Sequence, residues 1–285
     1  MAAAPLAITP ALRRQLADWL AEDLGRGDLS AAALAGRSGR AHWLAKAEGV
    51  FCGGVLAAPL FQQLDPAVAV RLLVADGEPV QPGQRLLELE GSAAALVAGE
   101  RTALNLAMRL SGIATATAAL VASLAGTGVR LADTRKTTPG LRLLEKYAVR
   151  CGGGCNHRLG LDDAAMLKEN HLAWAGGVTA AIDAVRAAAP WPARVIVEAE
   201  TAAEALAAVE AKPNDGGTLT GAMLARMCAR EFPQTEEILR KLRVVQPDQP
   251  WAATSFDHTF HGELEKRADS DLFGALPPVT DILMP

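Results

Sequence analysis

Cysteine is scarce: Cys52, Cys151, Cys155 and Cys228 are the four in 285 residues. So few cysteines at this length do not make a disulfide framework, and they fit a chain kept in a reducing cytosol. Cys151 and Cys155 have CxxxC spacing with no second pair nearby, which argues against zinc. An excess of positive charge is missing too. The chain has 28 Lys and Arg against 32 Asp and Glu, a net charge of −4 and a pI near 5.8. A nucleic-acid binder ordinarily shows the opposite balance. No unbroken apolar run approaches the roughly 20 residues of a membrane span. The opening MAAAPLAITP has neither the basic start nor the apolar core of a signal peptide. The expectation is a cytoplasmic protein that engages neither membrane nor nucleic acid. What is present, 50% hydrophobic and 21% charged residues, suits a globular chain with a full core, either one large domain or a small domain plus a barrel.

Leu12, Leu16, Leu20 and Leu24 recur at a spacing of four, which predicts an amphipathic helix over 8–24. Thr9-Pro10 supplies its cap and first-turn proline, and Gly25 and Gly27 its stop. Residues 40–47, 50–55 and 68–74 read as short strands punctuated by Gly49, Gly53-Gly54 and Asp76-Gly77, and 77–89 as apolar pairs between turns. Together they predict a small β-rich domain. Residues 93–124 form a long Ala/Leu-rich helical region with a break at Ser111-Gly112. From Val129 the rhythm changes: strands at 129–133, 164–167 and 195–197 alternate with helices at 141–150, 178–188 and 202–209. That alternation implies parallel β/α units and an α/β barrel beginning near residue 113, with functional residues where strands end and loops begin.

Charge concentrates in one segment. Between Asp133 and Arg158 there are six Lys or Arg and two acids, a local excess of +4 in a chain that is −4 overall. Arg135-Lys136 directly follows an apolar strand, as does Lys168 in Met166-Leu-Lys-Glu-Asn-His171. Gly152-Gly153-Gly154 precedes Asn156-His157-Arg158 and permits close backbone approach and unusual φ/ψ. Cations converging on one cavity repel one another and are costly to desolvate unpaired, so such a pocket predicts a polyanionic ligand, a dicarboxylate or a phosphorylated sugar. Other positions read more plainly. Arg142, Lys146 and Arg150 recur at a spacing of four and read as a solvated helical stripe. Arg101, in Glu100-Arg-Thr-Ala-Leu-Asn105, reads as a surface ion-pair residue. Glu198 and Glu200 alternate along a strand and face opposite sides, with Glu198 taken as the inner one.

Thr134-Arg-Lys-Thr-Thr-Pro-Gly140, Glu145-Lys-Tyr-Ala-Val-Arg150, Asn156-His-Arg-Leu-Gly-Leu161 and Leu167-Lys-Glu-Asn-His171 resemble the signature of the quinolinate phosphoribosyltransferase family. Glu22-Asp-Leu-Gly-Arg-Gly-Asp28 and Ser111-Gly-Ile-Ala-Thr115 extend the resemblance, which runs from about residue 10 to about 210. It implies an N-terminal α/β sandwich domain (1–112) and an incomplete α/β barrel (113–265, atypical over 211–265). A tail at 266–285 would pack on the first domain. It implies phosphoribosyl transfer from phosphoribosyl pyrophosphate to quinolinate with decarboxylation, in a homodimer or hexamer. By position, Arg135, Lys136, His157, Arg158 and Lys168 would hold the carboxylates of quinolinate, with Thr134 beside them. Arg101 would reach into the partner's site. Lys136, Lys168 and Glu198 would serve the reaction, and Glu198 would meet the ribose hydroxyls and the Mg²⁺ carried by the sugar pyrophosphate. Gly274 and Ala275 would line the phosphate end.

Past Ala211 the chain departs from the family pattern. A strand ending in Leu-Asp-Asn and a Ser-Gly-Gly phosphate loop are expected there, and Lys212-Pro-Asn-Asp-Gly-Gly217 stands instead. Phe273-Gly-Ala-Leu276 only faintly echoes the last phosphate-binding strand. Either the tail has diverged and still closes the barrel, or it is scrambled, as a frame change would leave it. Two other functional readings therefore stand beside the leading one: a quinolinate binder with a defective phosphate site, and a related phosphoribosyltransferase for another anionic ring.

Overall fold

The structure, a computed structural model, describes residues 5–126, 130–199 and 201–211 and the backbone of 222–223 and 252–253. These residues divide into two compact units. One runs to Ala125 and includes Thr138–Cys155. The other holds Gly126–Thr137 and continues from Asn156.

The first unit opens with α1 (Pro10–Leu24), whose Thr9 side chain accepts a hydrogen bond from Leu12 N at 3.2 Å. Leu12, Leu16 and Leu20 are buried as their spacing predicts. An antiparallel sheet follows, β1 (Ser38–Leu44), β5 (Arg85–Ser92) and β3 (Ala69–Leu72), with β5 central and Trp43 opposite Leu87. Leu86, Leu87 and Leu89 of β5 are buried, and Arg40–Glu90 and Arg71–Glu88 pair across the exposed face. The strand expected over 50–55 is cut short. Only Gly49–Val50 (β2) pairs, with Pro79–Val80 (β4). Gly53 then takes φ 106° and turns the chain toward α2 (Ala57–Leu64).

Helix α3 (Ala93–Ser123) passes through Ser111-Gly112 without a break, correcting the expectation of one. The Ser111 hydroxyl accepts from Cys52 N at 3.0 Å and donates to Cys52 O at 3.1 Å. It bonds a neighbouring segment, so it does not compete with its own helix. By length and composition α3 could cross a membrane. Here Leu96, Ala103, Leu104, Ala107, Leu110 and Ala114 lie in the core of the unit. Helix α4 (Arg142–Cys151) corrects another expectation: Lys146 is 1% exposed, and Leu144 to Ala148 are buried without interruption. Of the supposed solvated stripe Lys146 is covered and Arg142 and Arg150 are half-buried, and Arg150 stacks over the Tyr147 ring, 5.5 Å from its centroid.

In the second unit β7 (Ala165–Leu167), β8 (Val195–Glu198) and β9 (Ala222–Met223) form a parallel sheet in that order. Strand β6 (Arg130–Leu131) pairs in parallel with β10 (Ala252–Ala253). Helices α5 (Glu169–Ala175) and α6 (Val178–Ala188) link β7 to β8, and α7 (Ala202–Glu210) leads on from β8. Leu167, Leu172, Ile182, Val197 and Ala208 form its core. This is the expected α/β alternation. Strands that would close a barrel, and the tail at 266–285, lie outside the described residues.

Candidate functional site

Strand β6 delivers Asp133 to the start of the charged loop. Its carboxylate accepts at Oδ2 from Asn156 Nδ2 at 2.6 Å and at Oδ1 from His157 N at 2.7 Å. Thr134 Oγ1 accepts from Lys136 N at 3.0 Å, and Thr137 N donates to Arg135 O at 2.9 Å, so the loop folds tightly about Arg135. Arg135, His157 and Arg158 are half-buried and Lys136 is exposed.

Arg135 and Arg158 lie within range of each other's charge. Arg158 Nη1 donates to Ala164 O at 2.7 Å, just before β7. Its guanidinium is held below its usual ionisation range by burial and then by the charge of Arg135. The Nε atoms of both arginines are shielded from solvent and meet no hydrogen-bond acceptor among the described residues. Buried donors without acceptors are costly, and a pair of guanidinium groups resolves the cost best with carboxylate or phosphate oxygens.

At the ends of β7 and β8, Leu167 faces Val197 in register, which sets Lys168 beside Glu198. Lys168 Nζ lies 3.0 Å from Glu198 Oε2, but the contact lacks hydrogen-bond alignment, since Oε2 has no hydrogen-bond donor among the described residues. The side chains are 46% and 14% exposed, a setting in which such a pair contributes at most about 1 kcal/mol. Its importance is positional. His171 Nδ1 accepts from Lys168 N at 3.2 Å and fixes the backbone where the strand ends.

Arg101 is exposed on α3, in the first unit, and no ion pair among the described residues engages it. The surface ion pair expected there is not seen among the described residues. Glu200, Gly274 and Ala275 lie outside the described residues, as do Asp215, Gly216 and Gly217. Two arrangements escaped the sequence reading. One is the Asp133 clamp. The other, in the first unit, is Glu145, which accepts from Arg109 Nε at 2.9 Å and from Thr138 N at 3.1 Å, while Arg109 also bonds Thr138 Oγ1. Glu145 stands inside a motif already quoted and Asp133 directly before one, but donors to them lie 24 and 36 residues away. The first unit also holds Asp76, which accepts from Gly54 N at 2.8 Å and Tyr147 Oη at 3.0 Å. Burial holds its carboxyl above the usual carboxylate range.

A parallel α/β unit that carries arginine and lysine after β6, lysine after β7, and histidine and arginine in the loop before β7 has the charge and donors that suit a small, multiply charged anion. Residues 28–111 match the family described as quinolinate phosphoribosyl transferase, N-terminal domain, and residues 113–243 its C-terminal domain. The chain is 47% identical over 195 residues to the probable nicotinate-nucleotide pyrophosphorylase (carboxylating) of Synechocystis, covering 68% of this chain and 66% of that one. It is 41% identical over 193 residues to that of Methanothermobacter thermautotrophicus, covering 66% and 68%. Among solved structures, NadC from Streptococcus pyogenes is similar at a TM-score of 0.74 and 38% identity, over 84% of this chain and 82% of that one. The chain belongs to the quinolinate phosphoribosyltransferase family. It spans 66% of the length of the Synechocystis and Bacillus subtilis relatives.

Proposed function

We propose that the protein transfers the phosphoribosyl group of phosphoribosyl pyrophosphate to quinolinate with loss of CO₂, giving nicotinate mononucleotide and pyrophosphate in NAD biosynthesis. The observation that carries this reading is that Arg135 and Arg158 lie within range of each other's charge and that their shielded Nε donors meet no acceptor among the described residues. Two carboxylates on one ring suit these donors, each charged hydrogen bond contributing about 1.5–3 kcal/mol. Lys136, His157 and Lys168 supply further positive charge and donors. Thr134 holds the turn that carries Arg135.

In the reaction the ring nitrogen attacks the anomeric carbon as the C–O bond to pyrophosphate breaks, and the bond electrons leave with pyrophosphate. Positive charge develops on the sugar, where Glu198 stabilises it, while cations stabilise the leaving group. The 2-carboxylate then departs as CO₂, and the electron pair left on the ring carbon is stabilised by the adjacent positive nitrogen before that carbon takes a proton. Orientation of the ring by fixed cations lowers the barrier through positioning. No covalent nucleophile is required.

Among the described residues no three His, Cys, Asp or Glu side chains converge on one point. The described residues by themselves build no metal cage. Glu198, with one oxygen shielded and unaligned, fits a single-carboxylate contact to Mg²⁺ carried on the sugar pyrophosphate, which would neutralise phosphate charge. Arg101, exposed and without an ion pair among the described residues, supports a role across a homodimer contact, and the scarcity of cysteine supports a reducing cytoplasm as the compartment.

The test is Mg²⁺-dependent release of CO₂ from carboxyl-labelled quinolinate with phosphoribosyl pyrophosphate. Product above background is expected, and none in a folded sample overturns the assignment. The family match runs on to residue 243, but the absence of the expected Leu-Asp-Asn strand end and Ser-Gly-Gly loop after Ala211 favours a second reading, a quinolinate binder unable to place the sugar phosphate. Calorimetry with each substrate separately distinguishes the two: heat with quinolinate and none with phosphoribosyl pyrophosphate supports the second.

A further inference from the structure

Two loops bring positive charge together, 133–136 after β6 and 156–158 before β7. Arg135 and Arg158 lie close enough for the charge of one to disfavour ionisation of the other. Without a ligand this repulsion drives the loops apart, so something must hold them. One side chain that ties them is the Asp133 carboxylate. Asp133 Oδ1 accepts from the His157 backbone at 2.7 Å and Oδ2 accepts from the Asn156 side chain at 2.6 Å. One oxygen fixes the main chain and the other fixes the preceding side chain, which sets the register of 156–158 against 133–136. Charge-assisted hydrogen bonds of this length are the strong kind. The carboxylate also places a negative charge beside the two loops, opposing their repulsion.

We infer that Asp133 is a positioning residue: through Asn156 and His157 it locks the two cation-bearing loops into the spacing that grips the paired carboxylates of the substrate, and it touches no substrate itself. This rests on the proposed quinolinate site. Asparagine at 133 keeps one acceptor for His157 N, and the Asn156 amide can turn over to accept from the new amide nitrogen, so geometry is retained without the charge. Alanine removes both contacts.

The test uses the full-length protein with Asp133→Ala, Asp133→Asn and Asn156→Ala. In the ligand-free proteins, ¹H–¹⁵N spectra of selectively histidine-labelled samples report the His157 amide. Asp133→Ala should move it upfield and speed its exchange with solvent, while Asp133→Asn should move it less. In steady-state assays Asp133→Ala should raise KM for quinolinate by roughly tenfold or more, with kcat and KM for phosphoribosyl pyrophosphate changed far less. Asp133→Asn should recover part of that loss. A merely structural role would lower the active fraction, hence kcat, and leave KM alone. If Asp133→Ala does not fold, Asn156→Ala and Asp133→Asn carry the test, both with a raised quinolinate KM. An unmoved His157 amide, or a quinolinate KM within twofold of wild type in every folded variant, overturns the inference. Wild-type protein that neither binds nor converts quinolinate sinks the proposed function, and the amide measurement still decides whether Asp133 sets the loop.

Discussion

Arg158 meets one acceptor, Ala164 O, and leaves its shielded Nε without one among the described residues. A guanidinium placed this way is a poor structural investment and a good anion contact, because its planar fork matches a carboxylate. Arg158→Ala should weaken quinolinate binding by about 1.5–3 kcal/mol, roughly ten- to a hundredfold, read by calorimetry. Arg158→Lys should recover only part of that, since it restores charge without the fork. Affinity within twofold of wild type for the alanine variant would remove Arg158 from the site. Asp76 gives a prediction of a different kind. Its carboxyl binds a proton more tightly in the folded chain than in the unfolded one, where it titrates near 4. The folded state therefore holds more protons over the interval above pH 4, and this residue's contribution to stability falls as pH rises through it. Asp76→Asn, which does not titrate, should show its largest deficit in urea unfolding at about pH 4 and a smaller one at about pH 7. A deficit that grows with pH would contradict the burial of this carboxyl.

The elements show what periodicity reveals and what it hides. Helix α6 begins and ends at the residues expected, and α1 begins at the cap that Thr9-Pro10 announces. In both, local chemistry and burial agree. Helix α2 was missed because Gly53, at φ 106°, redirects a β-like apolar run into a helix, and α5 is only seven residues long, too short for a periodic signal. Lys146 was misjudged because spacing reports a helical face but not what covers it. The site was legible as residue types and motifs. The Arg135–Arg158 approach and the Asp133 clamp were not, because each joins residues more than twenty apart. The triple glycine was legible as a place of close approach, and the partner is α3. A Cβ added at Gly152 would stand 2.4 Å from Ala114 O and 2.6 Å from Thr117 Cβ. Both neighbours lie within α3, which can yield only by moving as a helix. Gly152→Ala should therefore destabilise the protein by about 1–3 kcal/mol through overpacking, measured by chemical denaturation. A loss below about 0.5 kcal/mol would mean that α3 and α4 are more loosely joined than the structure has them.

For the whole molecule, the division into two compact units places every described candidate for substrate contact except Arg101 in the second one. A ligand that binds only the folded state stabilises it by mass action, by about 2.7 kcal/mol at a hundred times its dissociation constant. That stabilisation falls first on the segments the ligand ties together. Hydrogen exchange should therefore slow on adding quinolinate over 133–137 and 156–168, while β1 and β5 in the first unit keep their rates. Phosphoribosyl pyrophosphate added alone separates the two functional readings in the same experiment. Protection near Glu198 and the start of α7 marks a working sugar-phosphate end, and none marks a chain that holds the dicarboxylate alone. Protection by quinolinate confined to the β1–β5 sheet, with its outward Arg40, Arg71 and Arg85, would move the anion site to the other unit. Those arginines already pair with Glu88 and Glu90, whereas the Nε atoms of Arg135 and Arg158 meet no acceptor among the described residues. That difference in satisfaction, more than the count of positive charges, is why the dicarboxylate is expected at the ends of the parallel strands.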